Sequence, residues 1–446
     1  MVEKSIDLTR EIAHFIVNTD AADIPQPDME HAKVALMDWI AVTLVGKEDP
    51  LVAKLVNYAD LLGGKEQATV IGYGLKKNII ETALINGAAS HALDFDDTLE
   101  IIIGHPTVTL YPALVALAEW KGFSGKELLA AYLIGLKTAA LIGHCGGMDH
   151  YMHGWHGTST IGHFASAAGC SKLLGLDEQQ TVYALGIAGT QASGLKSAFG
   201  TMCKPFHAGK ASQAGLMSAL LAADGFTSTD NILEVDFGFL KVLNGKLNKN
   251  AAEVLNAPWE AADLAQKYHA SCHATHSPIE GTLAILEEEG LSIDDIKSIK
   301  LHVSELALGA AGKTDPQTGL AGKFSIPYCV ANALLRSDTG TKAFTDEKVN
   351  DPQVKEFMKK ISLARNDDFV LVEAIIDLET TTGKMYTREL DVMKDIPGLE
   401  TKREKITAKF LDLSDAYLGN EKAEKMVAAI NNLDQMENVQ QLTEEL

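Results

Sequence analysis

The sequence predicts a mainly α-helical protein with a smaller α+β domain, because its hydrophobic periodicity changes twice along the chain. Up to about position 256 apolar residues recur at helical spacing, as Ile12, Phe15 and Ile16 do near the start. After about position 265 the pattern alternates between apolar and polar residues, most clearly at 296–303, which is typical of strands. Helical spacing returns from Lys402 onward. The strand-bearing part is therefore predicted to be an insertion.

A strand hairpin is also predicted inside the insertion. Residues 369–378 and 385–392 alternate around the polar turn 380–384. No repeat of 20 to 50 residues points to a solenoid. We predict a large all-α helical domain at 1–265, an α+β domain at 266–397, and C-terminal helices at 398–446 that rejoin the helical domain.

Two segments of the predicted helical domain are crowded with small residues. Residues 157–176 and 183–223 are rich in Ala, Gly and Ser, which lets helix backbones approach closely. We expect them to be central, buried helices. Glycine lowers helix propensity, so we expect breaks near Gly194 and Gly200.

Composition and charge exclude several classes of protein. The 446 residues carry 60 acidic and 39 basic side chains, a net charge of -21, which disfavours nucleic acid and membrane surfaces as partners. Residues 1–18 predict an amphipathic helix without the apolar core of a signal peptide. The longest apolar stretch, 128–143, is interrupted by Lys137 and is shorter than a membrane span. The five cysteines form no Cys-x-x-Cys pair, so a reducing cytoplasm is predicted.

One window of the sequence has an unusual charge balance. A uniform distribution of acidic residues would place about six in any window of 45 residues, yet 179–223 contains none. The same window contains Lys196, Lys204, His207 and Lys210. A cationic region in an acidic protein suits a small anionic substrate. The alternative is a buried helix pair that excludes carboxylates for packing reasons.

Histidine is concentrated in the same part of the chain. Eleven of the fourteen histidines lie between His91 and His276. The clusters at 144–156 and 269–276 contain ligand types that zinc uses, but neither has a recognisable zinc spacing, and no HExxH motif is present. We therefore expect no catalytic metal. Proton transfer at neutral pH is the better use for so many imidazoles.

The third feature is HALDFDDT at 91–98, which groups Asp94, Asp96 and Asp97 shortly before His105. Three interpretations remain open: the carboxylates bind magnesium, they cap a helix, or they orient a catalytic histidine. The spacing also equals the Asp-x-Asp-Asp motif of terpene cyclases, but aromatic residues make up only 6% of this chain. Dinucleotide-binding, Walker and Gly-x-Ser-x-Gly motifs are absent from the sequence.

Five long blocks occur in one order over most of the chain: NGAASHALDFDDT (86–98), HPTVTLYPALVALAE (105–119), GWHGTSTIGHFASAAGCSKLLGLD (154–177), GLKSAFGTMCKPFHAGKASQAG (194–215) and FSIPYCVANAL (324–334). Together these blocks resemble the MmgE/PrpD family. The resemblance implies a polycarboxylate substrate, no cofactor, no required metal, a helical domain with an α+β lid, and a homodimer.

The resemblance also implies site residues where the motifs match. We take His105 as the first base, oriented by Asp94. Tyr328 or Lys204 could protonate the opposite face of the substrate carbon. The catalytic set implied is Asp94, His105, His156, Lys204 and Tyr328, and the substrate-binding set is Thr98, Lys267, Cys272 and His273.

The sequence departs from the family pattern at three places. Ala270 stands where proline is expected, the segment 99–104 is apolar apart from Glu100, and Lys137 replaces an acidic residue. These departures put a standard methylcitrate substrate in doubt.

On this basis we predict an isomerase, a cofactor-independent epimerase of iminodisuccinate that removes and returns a proton next to a carboxylate. The alternative is a lyase, either a hydro-lyase like 2-methylcitrate dehydratase or a decarboxylase acting on cis-aconitate. A non-catalytic protein that binds polycarboxylates is the third possibility, which the retained site residues oppose.

Overall fold

A computed structural model describes residues 7–247 and 251–446. The first six residues of the predicted N-terminal helix lie outside this part of the chain. The chain divides into two compact units: 1–266 together with 397–446, which we call the helical unit, and 267–396, which we call the α+β unit. Helices dominate and the sheets are small, so the predicted fold class, mainly α with a smaller α+β part, is confirmed.

The first part of the helical unit is a set of packed helices with one short hairpin. Most of the longer helices are buried on several sides, which explains why their sequences are apolar all round. The elements are α1 (Leu8–Asn18), α2 (Gln26–Gly46), α3 (Pro50–Leu62), β1 (Ala68–Val70), β2 (Leu75–Lys77), α4 (Ile79–His91), α5 (Thr107–Lys121), α6 (Gly125–His144), α7 (Gly147–Met152), α8 (Gly157–Leu174), α9 (Glu178–Gly189), α10 (Cys203–Ala223) and α11 (Phe239–Val242).

The hairpin of β1 and β2 corrects the expectation that this unit is all α. The two strands pair antiparallel, with Thr69 opposite Lys76. Glu119 of α5 accepts hydrogen bonds from the backbone N–H and the hydroxyl of Thr69, at 2.8 Å each. Strands of three residues are too short to show an alternating pattern, so tertiary contacts rather than local sequence define them.

The small-residue segments are central helices, as predicted. A Cβ on Gly215 of α10 would lie 2.4 Å from the Cβ of Ser166 of α8, and one on Gly209 would lie 2.3 Å from the carbonyl oxygen of Leu84 of α4. Only glycine permits these two crossings. The chain between α9 and α10 is broken, and Gly194 and Gly200 there adopt φ values of 133° and 82°.

The α+β unit contains a four-stranded sheet in the order β4-β3-β5-β6. Strands β3 and β5 and the hairpin β5–β6 pair antiparallel, whereas β3 and β4 pair parallel. The predicted strand at 296–303 and the hairpin are present, but the short β4 was not predicted. The elements are α12 (His276–Glu289), β3 (Ile296–Val303), α13 (Glu305–Ala311), α14 (Gly319–Gly322), α15 (Ile326–Arg336), α16 (Asp346–Val349), α17 (Pro352–Met358), β4 (Ile361–Arg365), β5 (Ala374–Thr380) and β6 (Met385–Leu390).

The chain returns to the helical unit through its last helices, α18 (Leu399–Leu418), α19 (Asn420–Asn431) and α20 (Gln440–Thr443). Helix α18 packs on α2, where Nζ of Lys409 lies 2.6 Å from Oδ1 of Asp38. Both side chains are almost fully buried. This ion pair joins the two ends of the chain that make up the helical unit.

Helix α6 has the length and hydropathy of a membrane span, but 89% of its most apolar window is buried inside the protein. That burial is typical of the core helix of a soluble protein. Lys137 lies within α6 and bonds to Glu260 at 2.8 Å, so its charge is compensated inside the helical unit.

Candidate active site

The loop between α4 and α5 carries most of the candidate residues of the helical unit. It begins after His91 and contains two non-glycine residues with left-handed backbone conformations, Asp94 (φ 53°) and Ile103 (φ 44°). Such conformations are uncommon, and a β-branched residue adopts them only when its surroundings impose them. A tight turn closes at Gly104, where a Cβ would lie 2.7 Å from the amide nitrogen of Thr158. The turn holds His105 against the start of α8.

Three helices begin at this place, and each brings a candidate side chain. His105 lies just before α5, His156 precedes the first residue of α8, and Lys204 lies in the first turn of α10. Pro205 does not interrupt α10, because a first-turn residue needs no partner for its amide. Lys204 and His207 are therefore helical.

The side chains of this cluster are in direct contact. Nζ of Lys204 lies 3.0 Å from Oδ1 of Asp94, and Nε2 of His105 lies 3.6 Å from the same oxygen. Nδ1 of His156 lies 3.1 Å from Nδ1 of His207. The positive ends of three helices, a lysine and several imidazoles together favour a bound anion.

The carboxylate nearest the ring of His105 is Asp96. Its Oδ2 lies 2.9 Å from Nδ1 of His105, and its Oδ1 lies 2.9 Å from Nδ1 of His91. Asp94, the predicted orienting residue, instead lies on the Nε2 side. Burial alone would raise the pKa of Asp96, but the two neighbouring histidines outweigh it and hold that pKa well below its usual value.

His156 is surrounded by potential positive charge. The pKa of His156 lies well below its usual value. Burial is the largest cause, and the positive charges of the nearby His91, Lys204, His105 and His207 add to it. Burial also lowers the pKa of His207. Both rings are therefore neutral at neutral pH unless an anion binds beside them.

Four residues of the cluster have the donor types that a metal would need. One ligand atom each from His91, Asp94, Asp96 and His105 lie within 4.8 Å of one another. However, His91 and His105 both direct Nδ1 at the Asp96 carboxylate. The Lys204 ammonium already neutralises Asp94. The arrangement is better suited to proton transfer than to a metal, and the absence of a metal requirement stays a prediction.

Thr98, predicted to bind substrate, lies at the end of the same loop and is buried. It forms an isolated bridge with Ala265, in which its amide donates to the Ala265 carbonyl at 3.0 Å and its carbonyl accepts from the Ala265 amide at 2.9 Å. This bridge fixes the direction of the loop. Its role toward substrate stays a prediction.

The remaining candidates belong to the α+β unit. Lys267 is 1% exposed, and Cys272 and His273 follow on a short turn before α12. The ring of His276 packs edge-on against those of His269 and His273. These histidines are close in the sequence, and their rings contact one another in the fold.

Tyr328 lies in the first turn of α15 and is fully buried. Its hydroxyl donates to the carbonyl of Ala343 at 2.5 Å, within the α+β unit. Burial raises the pKa of Tyr328 to about 12. The predicted role as proton donor stays a prediction, and the phenol is protonated at neutral pH.

Two of the three departures from the family pattern have structural roles. Lys137 pairs with Glu260, and the amide of Ala270 donates to the carbonyl of Thr339 at 2.8 Å. Proline at position 270 could not make that hydrogen bond.

The class of protein to which this chain belongs follows from its similarity to known protein families. The MmgE/PrpD N-terminal domain matches residues 10–251 and the MmgE/PrpD C-terminal domain matches residues 269–435. The chain therefore belongs to the MmgE/PrpD family.

Its curated relatives include cis-aconitate decarboxylases. The Aspergillus terreus enzyme is 27% identical over 98% of this chain and 95% of its own length, and the Homo sapiens enzyme is 25% identical over 99% and 95%. A cis-aconitate decarboxylase-like protein, oryM of Aspergillus oryzae, is 27% identical over 98% and 96%. None of these three names refers to an epimerase.

Proposed function

We propose that this protein is a cofactor-independent lyase that decarboxylates a small unsaturated polycarboxylate of the cis-aconitate type. The observation that supports it best is the cluster in which a lysine at a helix N-terminus and a histidine held by a buried carboxylate share one site. The names of the relatives support the choice of substrate class. Epimerisation, our first prediction from the sequence, has less support because none of the three relatives named above is an epimerase.

The chemistry of decarboxylation fits these residues. One carbon–carbon bond breaks, CO2 leaves, and the electron pair of that bond passes into the conjugated carbon skeleton. A proton added to carbon completes the reaction, so each turnover consumes one proton. We assign proton delivery to Nε2 of His105.

Lys204 supplies the positive charge that this reaction needs. Its ammonium, next to the N-terminus of α10, would bind a remaining carboxylate and stabilise negative charge that develops during bond cleavage. Asp94, which lies 3.0 Å from that ammonium, holds it in place. When substrate binds, the ammonium exchanges its contact with Asp94 for one with the substrate carboxylate.

The experiment is proton and carbon NMR on purified protein pretreated with a chelator. Cis-aconitate, 2-methylcitrate and single stereoisomers of iminodisuccinate are added separately in deuterated water. We expect CO2 release from cis-aconitate and one deuterium on a carbon of the product. The Lys204→Ala variant is the negative control.

Other outcomes assign the alternatives. Loss of water from 2-methylcitrate with cis-aconitate unchanged would make the protein a hydro-lyase. Deuterium exchange with formation of a second stereoisomer of iminodisuccinate would make it an epimerase. Binding that stabilises the fold without any turnover would leave only the non-catalytic function.

A further inference from the structure

We infer that Asp96, together with His91, positions His105 and fixes which of its nitrogens reacts. The inference rests on the proposed proton-transfer function of the site and adds two residues to it. Neither residue was assigned a role by the family motif as matched to this sequence.

Asp96 uses both of its oxygens on imidazoles. Nδ1 of His91 lies 2.9 Å from Oδ1 and 3.0 Å from Oδ2, and Nδ1 of His105 lies 2.9 Å from Oδ2. The Asp96 side chain is only 2% exposed, so water contributes little to its solvation. The two rings are 4.5 Å apart between centroids and tilted by 60°. The carboxylate is thus held from two sides.

This arrangement favours one tautomer of both rings. An ionised carboxylate can only accept hydrogen bonds, so the Nδ1 of His91, which is hydrogen-bonded to it, carries a proton. Nδ1 of His105 lies at ion-pair distance from the same carboxylate, which favours a proton there as well. In its neutral form His105 is therefore basic at Nε2. That nitrogen is the one directed at Asp94, and Lys204 contacts the same Asp94 oxygen. The reactive nitrogen of His105 consequently faces the place where the anion is expected.

The same carboxylate stabilises the protonated form of His105. A buried negative charge next to Nδ1 favours the imidazolium, as the buried aspartate does in serine-protease triads. His91 donates the hydrogen bond that a buried carboxylate requires. Its own Nε2 is buried and has no hydrogen-bond partner among the residues that the structure describes. The His91 side chain therefore serves Asp96 through Nδ1.

Asp94 does not have the geometry of a positioning residue. Its side chain is 34% exposed, it lies 3.6 Å from His105, and its shorter contact is with Lys204. Exposure lets it exchange partners when a substrate arrives. Asp96 is buried and cannot do so.

The test compares Asp96→Asn with Asp97→Asn, a neighbouring buried carboxyl. Oδ2 of Asp97 accepts from Thr107 at 2.5 Å, and burial raises the pKa of Asp97 to about 8, so it is largely protonated at neutral pH and an amide can replace it. We expect Asp96→Asn to lower kcat by about 10³-fold, with KM changed less than about threefold, and Asp97→Asn to change kcat less than about threefold. Asp96→Glu should recover part of the loss.

Two readouts separate positioning from a general loss of stability. The pKa that the rate profile assigns to His105 should fall in Asp96→Asn, because removing a neighbouring negative charge disfavours the imidazolium. In ¹⁵N NMR spectra, His105 should be protonated at Nδ1 in the wild type and a tautomer mixture in the variant. A variant with the wild-type profile and the Nδ1–H tautomer would overturn the inference.

The NMR readout needs no substrate. A wild-type protein that leaves cis-aconitate unchanged would therefore overturn the decarboxylase proposal without affecting the test of Asp96. Conversely, normal tautomers in Asp96→Asn would overturn the positioning role whichever substrate is turned over.

Discussion

We propose Lys204 as the side chain on which anion binding depends most directly. Its ammonium, 18% exposed, pairs with Asp94 at the start of α10, close to the histidine cluster. We expect Lys204→Ala to lower kcat/KM by at least about 10²-fold, because an electrostatic stabiliser of the developing charge is lost. Steady-state kinetics measures this loss.

Lys210 provides the matched control on the same helix. It is partly buried, and its Nζ donates to Oε1 of Gln213 at 2.5 Å. Lys210→Ala should keep kcat/KM within about threefold of the wild type. Equal losses in both variants would argue for a general effect of α10 and against a specific role of Lys204.

Substrate binding should take up protons at the histidines near Lys204, namely His91, His105, His156 and His207. The pKa of His156 is held low by burial and by the neighbouring His91, Lys204, His105 and His207. A bound polycarboxylate adds negative charge beside these groups, which stabilises the protonated imidazole and raises its pKa. Binding should therefore consume protons, and the dissociation constant should rise as the pH rises from 6 to 8.

Calorimetry tests this prediction with a non-reacting tricarboxylate in buffers of different ionisation enthalpy. We expect an uptake of about one proton per site at pH 7, falling in His156→Gln. An observed enthalpy that is independent of the buffer would show that no proton is taken up and would contradict the prediction.

At the scale of elements, the crossing of α4 and α10 places the site. Helix α4 ends at His91 and α10 begins beside Lys204, so the separation of the two helices sets the distance between these two residues. A Cβ on Gly209 would lie 2.3 Å from the Leu84 carbonyl oxygen and must push the helices apart. We expect Gly209→Ala to lower the free energy of unfolding by about 2 kcal/mol and also to reduce kcat.

Urea denaturation measures this change. Gly309→Ala is the control, because a Cβ there, within α13, has no atom within 4 Å. That variant should be as stable as the wild type or more stable by up to about 1 kcal/mol. If Gly209→Ala behaves like Gly309→Ala, the close crossing does not limit the helix separation.

At the scale of the whole molecule, the two ends of the chain must meet for the helical unit to form. Lys409 of α18 pairs with Asp38 of α2 at 2.6 Å in a buried environment. Lys409→Met removes this partner and leaves the Asp38 carboxylate without its ion pair. We expect the free energy of unfolding to fall by about 3 to 5 kcal/mol.

The control is Lys425→Met on α19, whose ion pair with Glu421 is exposed and should contribute less than about 1 kcal/mol. Urea denaturation followed by circular dichroism gives both values. Similar losses in the two variants would contradict the importance of the buried pair.

The family resemblance also leads us to propose a homodimer. Sedimentation velocity at micromolar concentration should give a species of about twice the 47.9 kDa chain mass. A single species with the mass of one chain would refute that proposal.

The sequence by itself determined the fold class, because periodicity is a local property. Helical spacing predicted helices such as α2, and alternation predicted β3 and the β5–β6 hairpin. Long ordered motif blocks identified the family. They also brought Asp94, His105 and Lys204 to attention before any geometry was known.

Only the tertiary structure decided which atoms meet. The sequence contained Asp94, Asp96 and Asp97 in one short run, and the family motif pointed to Asp94, but neither showed which of the three carboxylates contacts the ring of His105 at Nδ1. The fold directs Asp96 to two imidazoles, Asp94 to Lys204, and Asp97 to Thr107. Some of these contacts join residues that are far apart in the chain, and others depend on the strained loop between α4 and α5. No local sequence pattern predicts either kind of contact. The physical reason is that packing, not periodicity, fixes the direction of a side chain.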